Sequence, residues 1–312
     1  MPRIPRMVMK DSDQKTIYHI ISRTALDGLP FEAEEKDEMV HIIQYYSRVY
    51  AVGVLGYAIM GNHFHLLVEM QPESSFSDDE VKRRFSIRYP EEDVDTIYPG
   101  AELETFRRRL CDLSSYVKDI KQVFSRFYNR RHERKGTLWS ERFKSVIVQD
   151  GHAVLQCKAY IDLNAVRAGI VPRPEAYRWC SVGYHVQTGN AGGFLSGEDF
   201  SWEDGDAGAD SLNGYLGFLY RSGVEEKQGK ASITIKTFDG AMKEGFYLTP
   251  VTRLKYRTRY FCDSGVIGSR AYVLSVFNHF KRRCNWDRER VPKRLDGFEG
   301  IYSLKRLHDF KG

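Results

Sequence analysis

The residues best suited to chemistry are two histidines, His63 and His65, two positions apart in the segment Gly61 to Glu69. This segment reads Gly-Asn-His-Phe-His-Leu-Leu-Val-Glu, and its apolar residues predict a buried β-strand. Because successive side chains of a strand alternate between faces, both imidazoles would share one face, with their Cα atoms roughly 7 Å apart. One divalent metal ion can sit between them. Residues 57 to 60 predict a preceding strand, joined to the histidine strand by a Gly61-Asn62 turn.

Two classes of histidine-containing phosphate enzyme do not fit this segment. Nucleotide hydrolases of the histidine-triad type require a third histidine at the next alternate position, which is Leu67. Two-histidine phosphoesterases require two copies of a His-x-Thr/Ser motif, and the chain has neither the hydroxyl residue nor the second copy. What remains is a His-hydrophobic-His pattern. The run from Gly56 to Glu69 resembles the corresponding strand of the HUH endonucleases, in particular of the transposases that carry a single catalytic tyrosine.

The chemistry of that family requires a tyrosine nucleophile, and among the 19 tyrosines of the chain Tyr160 has a suitable neighbour. It lies in the segment Gln156 to Gly169, which predicts a helix that ends at a glycine. Asn164 follows four positions later, so a phenol and an amide oxygen lie on one helix face. The run Tyr-Ile-Asp-Leu-Asn-Ala-Val-Arg-Ala-Gly resembles the catalytic helix of REP-associated tyrosine transposases, whose tyrosine precedes an amide metal ligand by four residues.

This resemblance implies an activity, a cofactor and a partner. His63, His65 and Asn164 would hold Mg²⁺ or Mn²⁺, and Tyr160 would attack a DNA phosphate to give a 5′-phosphotyrosine enzyme and a free 3′-hydroxyl. The implied protein is a metal-dependent nuclease and strand transferase, a transposase acting on single-stranded DNA with REP-like hairpins. Imidazole ligands suit Mn²⁺ better than Mg²⁺, so the choice of ion stays open.

A basic segment lies between the two motifs. From Arg107 to Lys144 there are twelve Lys or Arg residues against four Asp or Glu, a net charge of +8 that indicates a polyanionic partner. Arginines grip phosphates, and aromatic rings offer faces to unpaired bases. The run Gly136 to Ser145 also resembles the family's strand beside the bound DNA; the alternative is a merely solvated basic surface. The predicted DNA-binding residues are Lys121, Arg126, Arg130, Arg131, Trp139, Arg142 and Lys144.

The elements around these motifs predict an α+β fold of the ferredoxin-like kind found in HUH catalytic domains, an antiparallel sheet with helices on one face. Two further histidines, His19 and His41, stand in apolar surroundings and are interpreted as structural. Residues 71–102 are interpreted as an insertion. Besides the histidine strand, strands are expected at residues 16–22, 50–55 and 143–148, with a helix over residues 32–48.

The chain is expected to contain two units joined by a linker. Residues 1–185 form the predicted transposase domain. Residues 186–212, rich in glycine and acidic side chains, predict a flexible linker. Residues 213–312 predict a basic, mainly helical C-terminal region, in which residues 264–277 read as a turn followed by an amphipathic helix. This region is either a DNA-binding appendage or a packing and dimerisation extension, so a monomer and a homodimer both remain open.

Composition excludes several classes of protein. With 312 residues, 42% of them hydrophobic, the chain can bury a core. No run approaches the roughly 20 apolar residues that span a bilayer, and the N-terminus lacks the apolar region of a signal peptide, so a cytoplasmic protein without a membrane partner is expected. Five scattered cysteines without a Cys-x-x-Cys pair indicate neither a disulfide scaffold nor a zinc finger.

Two other functions remain open at this point. A regulator that binds DNA hairpins without cleaving them would use the same basic surface. A replication initiator or relaxase would share the histidine strand and the tyrosine, but commonly adds a helicase domain or a second catalytic tyrosine.

Overall fold

The computed structural model describes residues 7–9, 13–92, 101–190, 192–196, 211–224, 231–243, 265–284, 290–294 and 300–304. Its strands are β1 Thr16–Arg23, β2 Val52–Ile59, β3 His63–Met70, β4 Lys144–Val148, β5 Val266–Gly268, β6 Lys293–Arg294 and β7 Tyr302–Ser303. Its helices are α1 Ala33–Val49, α2 Asp78–Arg88, α3 Ala101–Leu110, α4 Leu113–Arg131, α5 His152–Asp162, α6 Asn164–Arg167, α7 Ser181–Thr188, α8 Ser211–Val224, α9 Ile235–Lys243 and α10 Arg270–Cys284, with 3₁₀ turns at Glu73–Ser75 and Pro174–Ala176.

These strands form one sheet in the order β2-β3-β1-β4-β5-β7-β6. The first four strands are antiparallel, and β5 then pairs parallel with β4. The α+β class is thereby confirmed, as are the strands expected from the sequence. The two short stretches predicted on either side of Gly56 prove to be the single strand β2, whose pairing with β3 shifts register between Val54 and Gly56.

The two faces of the sheet pack against different helices. Tyr18, Ile20 and Phe64 belong to the core that includes buried residues of α1 and α4. Ile17 and Leu67 belong to the core that includes buried residues of α5 and α8. The helical layer expected on one face is therefore joined by a second layer on the other. The physical reason is that both alternating sets of strand residues are apolar, so both faces must be covered. We call the face under α5 the site face.

Local sequence explains where the long helices begin. Glu32 and Glu35 form a capping box at the start of α1, in which each side chain meets the backbone N–H of the other. The Asp112 carboxylate accepts from the backbone N–H groups of Ser114 and Ser115 and so starts α4. That cap separates α4 from α3, which ends at Leu110. None of the described helices is long and apolar enough to cross a bilayer.

The described parts of the C-terminal region pack onto the same sheet and its helices. Strand β5 extends that sheet beside β4, through pairs such as Ile147 with Val266. The hydroxyl of Tyr215 on α8 donates to the Asp162 carboxylate at the end of α5, at 2.6 Å. The expected helix after residue 264 is confirmed as α10, whereas β5 was not expected. The expected boundary between two domains stays a prediction, and residues 197–210 of the expected linker lie outside the described residues.

Candidate active site

The two histidines of the motif lie at the start of β3, on the site face. Their ring centroids are 5.1 Å apart, with the planes at 79° to each other. His65 is buried, with 3% of its surface exposed, and His63 is half-buried. The shared face predicted from the two-residue spacing is therefore confirmed, and the pair is positioned by the central strand of an antiparallel sheet.

Asn62 determines which nitrogen of His63 carries the proton. The Asn62 amide nitrogen donates to the backbone carbonyl of Gly28, at 2.9 Å, so its amide oxygen must be the atom at 2.8 Å from His63 Nδ1. An amide oxygen only accepts, so Nδ1 of His63 is the donor. The lone pair of a neutral His63 then resides on Nε2, the nitrogen left to bind a cation.

His19 plays the matching part for His65. Its Nε2 lies 3.0 Å from Nδ1 of His65, and the two rings are stacked with centroids 5.2 Å apart. Only one proton fits between two such nitrogens. If His65 binds a cation through Nε2, its Nδ1 must donate to His19. His19, interpreted from sequence as structural, thus lies inside the cluster, whereas His41 is on the exposed surface. His19 could have been found from the sequence, because alternation along β1 places its side chain on one face of a strand that pairs with the histidine strand.

Both histidines of the pair are held in the neutral form. Burial lowers the pKa of His63 to about 4, with a smaller contribution from the positive charge of Arg23. Burial also lowers the pKa of His65 well below its usual value, helped by the neighbouring His63 and His19. Since only a neutral imidazole can bind a metal ion, the fold keeps the pair ready as ligands at neutral pH.

Tyr160 packs directly against this cluster. Helix α5 crosses the site face and places the Tyr160 ring edge-on to His65, with centroids 5.6 Å apart, and at 5.9 Å from His19. Only 4% of the tyrosine is exposed. The predicted nucleophile and the histidine pair, almost 100 positions apart in sequence, therefore meet within one chain.

Asn164 lies one turn beyond Tyr160, at the junction where α5 ends and α6 begins. Its amide nitrogen donates to the backbone carbonyls of Tyr160, at 3.1 Å, and Ile161, at 3.2 Å. The donor end of the amide is thus occupied by the helix, which orients the amide and leaves its oxygen as the atom suited to a cation. Arg167 follows on α6, with its guanidinium 5.5 Å from the centre of the Tyr160 ring.

Two imidazoles and an amide oxygen are donor types that Mn²⁺ and Mg²⁺ accept. Among the described residues, no three His, Cys, Asp or Glu side chains gather as metal ligands. A site here would instead combine the imidazoles of His63 and His65 with the amide oxygen of Asn164, leaving further positions for water or phosphate oxygen. Such a mixed nitrogen and oxygen set suits Mn²⁺ at least as well as Mg²⁺.

A buried carboxylate that the sequence analysis did not single out anchors α5. Asp162 is fully buried and accepts from Ser181 Oγ at 2.6 Å, from the backbone N–H of Val182 at 3.1 Å and from Tyr215. Burial raises its pKa, and the positive charge of Lys158 opposes that rise. Three donors from α7 and α8 converge on a residue two positions from Tyr160, so they help to hold the tyrosine over the histidines.

Two other tyrosines, Tyr116 and Tyr128 on α4, are alternative candidates for the nucleophile because they lie in the basic segment. Both belong to the core on the opposite face of the sheet. Tyr116 is fully buried against Tyr50, and Tyr128 stacks on His132. Neither ring lies on the site face, so the tertiary structure favours Tyr160 over both.

The residues predicted to bind DNA divide into two groups. Arg126, Arg130, Arg142 and Lys144 are exposed. By contrast, Lys121 lies over the Trp139 ring, and the indole N–H donates to the Lys121 carbonyl at 3.1 Å. Burial lowers the pKa of Lys121 to about 8.

Trp139 and Arg131 are also engaged within the protein. The Trp139 ring packs edge-on against Phe64, with centroids 5.7 Å apart, and touches the core under α4. Arg131 is exposed but forms ion pairs with Glu34 and Glu35.

The fold and the site define a protein in which a neutral histidine pair on a central strand faces a tyrosine on a crossing helix. Residues 12–93 match the model of the IS200-like transposase family. This segment contains His63 and His65, and the match confirms the resemblance to transposases there. Among solved structures, a REP-associated tyrosine transposase bound to a REP hairpin is similar, with 15% sequence identity and a TM-score of 0.41, over 67% of this chain and 100% of that chain. No curated protein sequence matches significantly.

Proposed function

We propose that this protein is a single-tyrosine nuclease and strand transferase, a transposase that acts on single-stranded DNA. The observation that carries the proposal is the contact of Tyr160 with His65, because it joins a nucleophile to a neutral imidazole pair inside one chain. The transposase match covers the strand that holds the pair but ends before Tyr160. The tyrosine half of the site therefore comes from the resemblance of the sequence motif and from the geometry.

In the proposed reaction, the chain's own residues position and exchange a phosphodiester. Tyr160 Oη forms a bond to phosphorus, the bond from phosphorus to the 3′-oxygen breaks, and the phenolic proton ends on the released 3′-hydroxyl. The DNA 5′-phosphate is then linked to the enzyme. Because one phosphodiester replaces another, an incoming 3′-hydroxyl can reverse the step without ATP.

His63, His65 and Asn164 would hold the divalent ion, Mg²⁺ or Mn²⁺, which when bound polarises the phosphate as a Lewis acid. With Asn62 accepting from Nδ1 of His63 and His19 accepting from Nδ1 of His65, both Nε2 lone pairs would be available to such an ion. The burial of Tyr160 excludes water from the nucleophile until DNA enters.

The proposed partner is single-stranded DNA with a hairpin. Exposed Arg126, Arg130 and Arg142 offer positive charge for the backbone. The hairpin preference follows from the resemblance of the catalytic helix to that of REP-associated transposases. A cytoplasmic location is the corresponding proposal for where the protein acts.

A test uses the full chain with Mn²⁺ or Mg²⁺ and single-stranded oligonucleotides copied from hairpins that flank the gene, resolved on a denaturing gel. We expect a covalent protein–DNA adduct for the wild type and for Tyr116→Phe, whose hydroxyl is buried without a hydrogen bond to the described residues. Tyr160→Phe keeps the ring and removes the nucleophilic oxygen, so it should form no adduct while still binding DNA.

Mass spectrometry of the trapped adduct should place the phosphodiester on the peptide that contains Tyr160. An adduct on Tyr116 or Tyr128 would overturn the site assignment but keep the reaction class. Hairpin binding without an adduct under any of these conditions would instead indicate a regulator that binds DNA without cleaving it.

A further inference from the structure

Arg23, which the sequence analysis did not consider, stands next to the histidine pair. It is the last residue of β1 and lies directly opposite His63 on β3. Residues paired across antiparallel strands share a face, with Cβ atoms about 5 Å apart. Arg23 therefore projects from the site face at the same end of the sheet as His63.

The position of Arg23 is fixed by its backbone rather than by its charge. Its carbonyl accepts from the backbone N–H and the hydroxyl of Ser140, each at 3.1 Å. Its side chain is exposed, and no carboxylate in the described part of the chain forms an ion pair with it. Elsewhere in that part, Arg109, Arg131 and Arg178 each pair with an acidic residue.

A second cation follows on the next strand. Lys144, at the start of β4, is opposite Ile21 of β1, which is itself opposite His65. Lys144 and Arg23 thus share the site face, with Cα atoms about 8 Å apart from the spacing of residues and strands. Both side chains are exposed. The two cations border the histidine pair on the side towards β4.

An unpaired positive charge beside the half-buried His63 and the buried His65 makes this edge attractive to an anion. Arg23 already acts electrostatically on His63, whose protonated form it disfavours. A phosphate oxygen bound at this edge would meet the charge of Arg23.

We propose that Arg23, supported by Lys144, binds the DNA backbone phosphates next to the histidine pair and so sets which phosphate faces Tyr160. This inference rests on the proposed function, since it names how the same site grips its DNA. A guanidinium suits the role because it can donate two parallel hydrogen bonds to one phosphate.

The test measures binding of a fluorescent (dT)20 oligonucleotide by anisotropy, in EDTA, over a series of salt concentrations. Removing one phosphate contact to single-stranded DNA lowers the slope of log affinity against log salt by about 0.7, which is roughly a fivefold loss of affinity near 0.1 M salt. We expect that loss for Arg23→Gln and its recovery in Arg23→Lys, which restores the charge.

Arg48→Gln is the matched control. Arg48 is an exposed arginine near the end of α1, a helix that packs on the opposite face of the sheet. It precedes β2, whose first residue Val52 pairs with Met70 at the far end of β3. Its substitution removes the same charge, and we expect the wild-type slope. Thermal melting of each variant verifies that the fold is retained.

The outcomes separate this inference from the proposed function. If Arg23→Gln keeps the wild-type slope while the wild type still forms the Tyr160 adduct, the role of Arg23 is overturned and the nuclease proposal stands. If Arg23→Gln shows the expected decrease in the salt slope but the wild type forms no adduct, the phosphate contact is supported and the catalytic proposal fails. Equal losses in Arg23→Gln and Arg48→Gln would show a general charge effect and overturn the specific contact.

Discussion

The two faces of the central sheet are formed by the same strands, but they bury different kinds of side chain. On the face under α4, aromatic rings and aliphatic side chains pack against each other, and the positive charges lie outside that core. On the site face, His19 and His65 are buried together beside Tyr160, within reach of the apolar core under α5. The face under α4 buries the carboxylates of Glu35 and Asp119 in ion pairs with arginines, whereas the site face buries imidazole rings against a phenol.

This difference shows that composition alone does not locate a functional surface. The segment around α4 has the stronger charge and aromatic signals, yet its Trp139 and Lys121 are engaged with each other. The histidine strand looks apolar, yet it holds two imidazoles whose pKa values are lowered by burial. Buried polar groups are costly unless they are paired, so those on the site face mark function more specifically than the exposed charges.

The largest effect is expected from the pair itself. His65→Ala should lower the rate of DNA cleavage roughly a thousandfold or more, because it removes one of few ligands to an ion that supplies several kcal/mol at the phosphate. Binding of (dT)20 should be almost unchanged. The same substitution at exposed His41 serves as the control. Cleavage at the wild-type rate by His65→Ala would remove the metal assignment.

Trp139 tests whether the face under α4 serves packing or DNA. We expect Trp139→Ala to lower the free energy of unfolding by about 3 kcal/mol, because the ring touches Phe31, Phe64 and Phe124. Urea denaturation measures this. Arg142→Ala, a nearby exposed change, should leave stability unaltered and weaken DNA binding. A stable Trp139→Ala protein that has lost DNA affinity would support the stacking role predicted from the sequence.

His19→Phe separates support of the site from packing. Phenylalanine keeps an aromatic ring beside His65 but removes the nitrogen that faces His65 Nδ1. Loss of such a partner typically weakens metal affinity tenfold to a hundredfold. Titration of Mn²⁺ by calorimetry would detect the loss while circular dichroism reports the fold. Unchanged Mn²⁺ affinity would make His19 a core residue only.

Acidity should destabilise the metal-free protein through the histidines. The pKa of His63 falls from 6.5 to about 4 on folding, so the unfolded chain binds more protons between those values. Stability is therefore complete above about pH 6.5 and is lost as the pH falls towards 4. Going from pH 7 to pH 5 should cost about 2 kcal/mol from His63 alone. Urea denaturation in EDTA measures this. In His63→Asn, the free energy of unfolding should depend less steeply on pH.

The smallest effect is expected from the exposed charges of α4. Replacing Arg126 and Arg130 together by Ala should lower the salt slope of single-strand binding by about 1.4, for two lost phosphate contacts. Cleavage of saturating DNA should proceed at nearly the wild-type rate. An unchanged salt slope would show that α4 is not part of the DNA interface. The DNA contacts proposed for the site face would then remain.

Much of the candidate site could be predicted because its signals are local. The spacing of His63 and His65 places them on one face of a strand, and the spacing of Tyr160 and Asn164 on one turn of helix, whatever the rest of the chain does. Strand β5 could not be foreseen, since three residues carry too little pattern to be distinguished from a turn. The packing of Trp139 against Phe64 could not be foreseen either, since the two residues are distant in sequence.

The sequence by itself determined the chemical groups, their local faces and the order of the elements that carry them, because alternation and helical periodicity act over a few residues. Only the tertiary structure decided which distant groups meet. It brought His19 of β1 to His65, placed Arg23 opposite His63 and anchored α5 through Asp162. Such contacts depend on strand register and on the packing of helices across a sheet, which are set by the whole core and by no single segment.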